Sequence, residues 1–484
     1  RAPASNTSVE EGRAGVGEVV PTPLPVNPIS LTPKSLPREE TSTEHRSEDE
    51  TPGRGVHVAS PSPEQRPREE ADIEEGGEPA TTSTDMNRAA GPQASAPAAV
   101  DVTVSTASTD TTTTIVLPCA PSDEEKVMYH RSGRAFVLTA GMLAFIALSA
   151  GMWLFALTSN IFLWYAVPSV FMTIYIAGQY LAVAIWGKDF DEEAHKERVK
   201  KAAGEGHEPT VDVFLPVCNE PVCILANTWD HVTRLDYPHL KVFVLDDGGS
   251  DEVRDLAASY GFEYFRRPNR PELKKAGNLR YAFGQTSSDA IVILDADFCP
   301  RTDFLRETLP YLMDPKIGII QTPQYFRWRE EQTWIEQGAG VTQEFFYRLV
   351  QVNQDVFGGS CCAGSCAVYR RAALEPLGGV VAAGHSEDII TGFKIAGLGY
   401  KLKYLPMPMS MGTCPDEPRS FFMQQYRWCT GTMTLVSMKD FWNSSTTVMH
   451  KICVLNGLLY YVASALVLFI APLPMLLLIW FYAD

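Results

Sequence analysis

Two runs of uncharged apolar residues, Ala135–Leu157 and Ile161–Trp186, constrain this chain more than any other feature. Each exceeds the ~20 residues an α-helix needs to cross a bilayer, and only Thr158, Ser159 and Asn160 separate them. The pattern predicts a transmembrane hairpin over residues 131–187. Two uncharged runs of this length argue against the alternative, a buried helical pair in a soluble core. Arg131 and Arg134 precede the hairpin, and Lys188, Lys196, Arg198, Lys200 and Lys201 follow it. Basic flanks are retained on the cytosolic side, so the domain from about Val211 onward is expected in the cytosol. A third run, Ile452–Ala483, contains Pro472 and Pro474. Residues 452–484 are therefore expected as a C-terminal transmembrane segment, either one kinked helix or a helix with an interfacial piece.

The net charge of -17 is unevenly placed. Residues 1–125 hold 22 Asp/Glu against 9 Lys/Arg, and the remainder holds 36 against 32. No basic face argues for nucleic acid. The 1–125 segment is rich in Ser, Thr, Pro, Ala and Glu and nearly free of aromatics. It cannot bury enough apolar surface to offset its ordering entropy, and it reads as a disordered, solvated tail. The ten cysteines form no CxxC and no His/Cys spacing typical of zinc, which suits reduced thiols better than a disulfide frame. No apolar run near Arg1 suggests a signal peptide.

Between the membrane runs, residues 205–450 alternate short β-rich and helical stretches. Val211–Val217, Lys241–Leu245, Ile291–Leu294 and Ile317–Gln321 read as buried strands. Asp251–Tyr260, Gly277–Gln285 and Thr302–Leu312 read as the intervening helices. This rhythm predicts an α/β domain with a mostly parallel sheet covered on both faces. Ligands of such sheets bind beyond the carboxyl ends of the strands.

Five motifs carry chemistry. Asp246-Asp247-Gly248-Gly249 follows a strand, where carboxylates can accept from a base or ribose; the same letters also make an ordinary turn. Asp295-Ala296-Asp297 ends a fully apolar strand, and carboxylates one residue apart can hold a hard cation. Lys274-Lys275-Ala276-Gly277-Asn278 precedes a helix, where an ammonium and free N–H groups suit a diphosphate. A solvated basic turn is the plain alternative. His385-Ser386-Glu387-Asp388 opens a helical run. Asp388, ionised in a first turn, can serve as a general base, while Ser386 suits N-capping. In Gln424-Gln425-Tyr426-Arg427-Trp428, helical spacing puts Gln424, Arg427 and Trp428 on one face. That face offers an amide, a guanidinium for phosphate and an aromatic platform for a sugar.

In this order, Asp-Asp-Gly, Asp-x-Asp, Glu-Asp and Gln-x-x-Arg-Trp, framed by membrane helices, resemble glycosyltransferase family 2, and within it the cellulose synthase and cellulose synthase-like group. Lys275-Ala276-Gly277-Asn278-Leu279, Gln321-Thr322-Pro323-Gln324 and Gly364-Ser365 ahead of Arg370-Arg371 add to the resemblance, which runs from about Ala135 to the C-terminus. It implies a GT-A-like catalytic domain flanked by transmembrane helices. By the same resemblance Asp246 and Asp247 hold the uridine of a UDP-sugar, Lys275 its diphosphate, and Asp295 lines the donor site. Asp297 binds Mg²⁺ or Mn²⁺, and Asp388 deprotonates the acceptor hydroxyl. Gln424 and Arg427 contact the diphosphate, and Trp428 stacks on the glucan end.

The resemblance further implies a processive, inverting enzyme that builds a β-glucan from UDP-glucose, with the growing glucan, the bilayer, and other synthase subunits or further copies as partners. The plasma membrane is the implied location. Additional membrane helices and a gating loop are expected past Asp484, so the chain is expected to be part of a longer protein. Chitin- or hyaluronan-type synthesis, single-sugar transfer, and a non-catalytic membrane subunit all stay open, because donor choice rests on a few hydroxyl contacts.

Overall fold

The computed structural model describes residues 100–105, 112–130, 134–187 and 189–482. The expected tail therefore lies mostly outside the described residues. Its expected boundary at residue 125 is corrected, because the chain is already packed by Leu117. Strands β1 (Val100–Ser105) and β2 (Thr112–Leu117) pair antiparallel. Leu117 and Cys119 are buried, and a short helix, Asp123–Val127, begins with a capping box between Ser122 and Glu125. Glu125 then takes a two-pronged ion pair from Arg327 at 2.7 and 2.6 Å. This S-x-x-E signature is present in the sequence, but the composition of the whole segment hides it.

Helix Arg134–Thr158 and helix Ala166–Trp186 form the predicted hairpin. Their junction is longer than expected, since Asn160–Tyr165 is a 3₁₀ turn. Pro168 falls in the first turn of the second helix, where its missing N–H costs no bond. The C-terminal run is a helix over Val448–Ile470, broken at Ala471-Pro472 and resumed over Leu473–Tyr482. Among the described residues three segments are long and apolar enough to cross a membrane, Leu138–Thr158, Asn160–Leu181 and Val448–Phe481. The Gln179 and Asn456 side-chain amides exchange hydrogen bonds between the second and third of these.

The sheet of the α/β domain contains β3 (Val211–Val217), β4 (Leu240–Asp246), β5 (Glu263–Phe265), β6 (Ala290–Ile293), β8 (Ile317–Gln321), β9 (Ala367–Arg370) and β10 (Lys401–Tyr404). A separate two-residue pair, β7 (Cys299–Pro300) with β11 (Ser410–Met411), runs antiparallel. The main sheet has seven strands in the order β10-β8-β9-β6-β3-β4-β5. It is parallel except at β9, which runs antiparallel to both β6 and β8.

Alternation along the strands decides the layers. Val211, Val213, Leu215 and Val217 enter one core with Trp229 of helix Val222–Val232. Phe214, Phe243, Ile291 and Ile293 enter the other with Leu279 of helix Lys274–Gln285. Pro216 lies beyond Phe214, the last β3 residue paired with β6, which is where a strand tolerates a missing donor. Asp212 is buried in the same strand and is neutralised by Arg371 at 3.0 Å and Ser288 Oγ at 2.7 Å.

Two predicted helices shift. The basic motif does not precede its helix but begins it, at Lys274. The run expected over Thr302–Leu312 is a short helix, Phe304–Thr308, followed by a 3₁₀ turn through Met313, with Pro310 at the change.

Candidate active site

The carboxyl ends of β4 and β6 carry the first two motifs. Asp246 ends β4 and is buried. Its Oδ1 accepts the Gly249 N–H at 2.7 Å; its Oδ2 accepts the Ser250 N–H at 2.9 Å and the Tyr264 hydroxyl at 2.7 Å. These bonds shape the Asp-Asp-Gly-Gly turn from inside. Asp247 receives both prongs of Arg267, Nε at 2.7 Å and a terminal nitrogen at 2.6 Å. Arg267 is fully enclosed and also donates to the carbonyls of Glu272 and Lys274 at 2.6 and 3.1 Å. One guanidinium thus ties the Asp247 turn to the first turn of helix Lys274–Gln285. Gly277 permits this: a Cβ there would come within 2.4 Å of Arg267 and 2.2 Å of the Glu272 carbonyl.

From that helix Lys275 pairs with Asp295, 2.5 Å away at the end of β6. Burial pulls the Lys275 ammonium down, but the charges of Asp295, Glu387 and Asp388 outweigh it and hold the pKa above the ordinary lysine value. Asp297 accepts the Thr413 hydroxyl at 2.9 Å, brought back by the β7–β11 pair. Burial and then the charge of Asp295 push the Asp297 carboxyl up. Two acids and one ammonium leave negative charge in excess there. Among the described residues no three His, Cys, Asp or Glu side chains cluster as a closed metal cage.

Asp388 lies in the first turn of helix Glu387–Gly397 and accepts the Ile389 N–H at 2.8 Å. Its carboxyl is pushed up to about 7, by burial first and then by Glu387, against the lowering influence of Ile389 N–H and Lys275. Gly364 lies against it, with φ +76. The capping expected of Ser386 is corrected. Its backbone is left-handed, φ 52, and its side chain makes no cap bond. Instead Ser386 Oγ donates to the Arg427 carbonyl at 3.1 Å, joining the Asp388 turn to helix Pro418–Ser437. Gly431 makes that approach fit, since a Cβ would sit 2.0 Å from Ser386 Oγ. Gln424, Arg427 and Trp428 all lie on this helix, and Gln424 Oε1 is buried with no hydrogen-bond partner among the described residues.

The structure therefore links Asp247 through Arg267 to the Lys274 turn, Lys275 to Asp295, and Asp388 to the Gln-x-x-Arg-Trp helix. Sequence reasoning missed Arg267, Tyr264 and Thr413. Adjacent Arg266 and Arg267 look alike in sequence, yet only Arg267 is enclosed.

Residues 212–378 match the model of glycosyl transferase family 2. The chain is 34% identical over 284 residues to a cellulose synthase catalytic subunit (UDP-forming) of Pseudomonas fluorescens (strain SBW25), covering 56% of this chain and 38% of that protein. It is 36% identical over 233 residues to cellulose synthase 1 of Komagataeibacter xylinus, covering 47% and 15%. The chain thus spans well under half the length of these curated relatives. Among solved structures, a mannosyltransferase of Pyrobaculum calidifontis with GDP-Man and Mn²⁺ aligns at a TM-score of 0.43 and 19% identity, over 58% of this chain and 80% of that one. Glucosyl-3-phosphoglycerate synthase of Mycobacterium tuberculosis, with Mn²⁺ and UDP, aligns at 0.36 and 19%, over 50% and 83%. Residues 212–378 thus form a domain matching glycosyl transferase family 2, and this part of the chain is similar to cellulose synthase catalytic subunits.

Proposed function

We propose that this chain is the catalytic part of a membrane-embedded, processive, inverting glycosyltransferase that polymerises glucose from UDP-glucose into a β-glucan, cellulose or a related polymer. The observation that carries the reading is the placement of Asp388, a half-buried carboxyl with Gly364 packed against it, joined through Ser386 to the helix of Gln424, Arg427 and Trp428. With its pKa pushed up to about 7, the carboxyl is partly ionised at neutral pH, and its ionised form is basic enough to take a proton. It accepts the proton of the acceptor hydroxyl as that oxygen attacks the anomeric carbon. The bond from that carbon to the UDP oxygen breaks, and one displacement turns an α-linked donor into a β-linkage. Lys275 and Arg427 meet the charge growing on the departing diphosphate. Trp428 offers the glucan end a flat apolar face between additions.

The oxygen donors and excess negative charge at Asp295 and Asp297 suit a hard cation that fills its shell with water and ligand oxygens. Asp297 would hold Mg²⁺ or Mn²⁺, which when bound supplies further charge stabilisation to the leaving group. The reading places the protein in the plasma membrane with this domain in the cytosol.

Membranes containing the chain are expected to release UDP from UDP-glucose with Mg²⁺ or Mn²⁺, to stop on chelation, and to need more metal in the Asp297→Asn variant. Turnover with another UDP-sugar alone would change the polymer. No turnover with any donor, from folded and inserted protein, would favour a non-catalytic subunit and overturn the proposal.

The pH profile follows from the same group. Because its pKa is raised, Asp388 is protonated and inactive at acid pH. The rate at saturating donor should rise with pH, level off above about 7, and fall about tenfold per unit well below it. A flat profile across that range would remove Asp388 as the titrating base.

A further inference from the structure

Resting on the reading of Asp388 as the base, we infer that Gln321 is a positioning residue that sets both Asp295 and Asp388 through one loop. Gln321 ends β8 and is completely buried. Its carboxamide bonds only to backbone: Nε2 donates to the carbonyls of Ser365 at 2.8 Å and Thr322 at 2.9 Å, and Oε1 accepts the Ala363 N–H at 2.8 Å. These bonds span the loop from Ala363 to Cys366, where Gly364 and Cys366 both take left-handed backbone, φ 76 and 55. Thr322 pins the far end, its hydroxyl donating to the Cys366 carbonyl at 2.9 Å.

The loop acts on the site at two points. Ser365 Oγ accepts the Asp295 N–H at 2.9 Å, fixing the start of Asp-x-Asp. Gly364 lies so close to the base that a Cβ would come within 2.7 Å of Asp388 Oδ2 and 2.9 Å of its Cβ. A neutral side chain with two donors and one acceptor matches these three backbone groups. An apolar replacement leaves them buried without partners, and an acid lacks the donors.

Asp388 is faced by Glu387 on its own helix, Lys275 on helix Lys274–Gln285 and Asp295 after β6. Cys361 and Cys362 at the head of the loop, Tyr347, and Tyr369 of β9 also interact electrostatically with it. A loosened loop admits water to Asp388, which reverses the burial that raises its pKa.

The test is Gln321→Met, which keeps the volume and removes all three bonds, with Gln321→Asn as a milder variant should the first fold poorly. In the membrane-inserted chain, kcat for UDP release is expected to fall about 10- to 100-fold with little change in donor KM. The acid limb of the pH profile should move to lower pH, and amide hydrogen exchange over residues 361–366 should speed up. A purely structural role would lower the amount of active protein and leave the acid limb in place. An unmoved limb, or unchanged exchange in that loop, would overturn the inference. If wild-type protein shows no turnover, or Asp388→Asn retains it, the reading of Asp388 fails instead, and the exchange rates alone decide whether Gln321 holds the loop.

Discussion

Asp388→Asn should lower kcat for UDP release by about 10²- to 10⁴-fold while leaving donor affinity within a few-fold. Asparagine keeps the size and the oxygen that accepts the Ile389 N–H, so the helix start is preserved. What it lacks is the ability to take a proton. Lys275 loses one of three acidic neighbours and keeps its contact with Asp295, so the diphosphate subsite survives. The measurement is kcat at saturating donor beside an independent affinity from UDP competition. A loss confined to affinity would make Asp388 a binding group. Retained turnover would shift the base to another acid, and Glu387 is its immediate neighbour.

Arg267→Met should be the most destabilising substitution outside the hydrophobic cores, at about 3–5 kcal/mol. The side chain is fully enclosed and the Asp247 carboxylate is only 7% exposed. Removing the guanidinium leaves a buried charge without its partner and two carbonyls, of Glu272 and Lys274, without a donor. Arg267→Lys should not rescue it, because one ammonium cannot reproduce the planar fork. The double variant with Asp247→Leu should recover much of the loss, since the buried charge goes too. Denaturant unfolding followed at the catalytic domain reads this directly. A single-variant loss below about 1 kcal/mol would mean that Asp247 reaches water and the pair does not organise the turn.

Much of this architecture was legible because it depends on local pattern. β3 and β8 coincide with their predicted spans, since both are short, mostly apolar runs, each with a single polar residue. The hairpin was legible for the same reason, at the scale of a bilayer. β9 was not. It has four residues, pairs antiparallel with strands far away in sequence, and follows directly on the loop that Gln321 contacts. The capping reading of Ser386 failed because tertiary contact with Arg427 overrides local propensity. Asp246 and Asp247 were legible as acids at a strand end, but their internal partners, Tyr264 and Arg267, come from across the sheet edge. Motif reading finds groups of the right chemistry; it does not show which of them are already occupied by the fold.

One carboxylate has a mechanical consequence. Glu307 receives Lys126 from the segment ahead of the first membrane helix and His195, 2.6 Å away, from the helix that follows the second. Both legs of the hairpin are therefore fastened to a single turn of the catalytic domain, as a staple is clinched at two points. Helix Phe304–Thr308 is thus a point of the α/β domain that contacts the chain on both sides of the hairpin. A chain cut just before Arg134 would retain every motif and lose one of those fastenings. Any unit that keeps both fastenings must include Lys126 as well as His195.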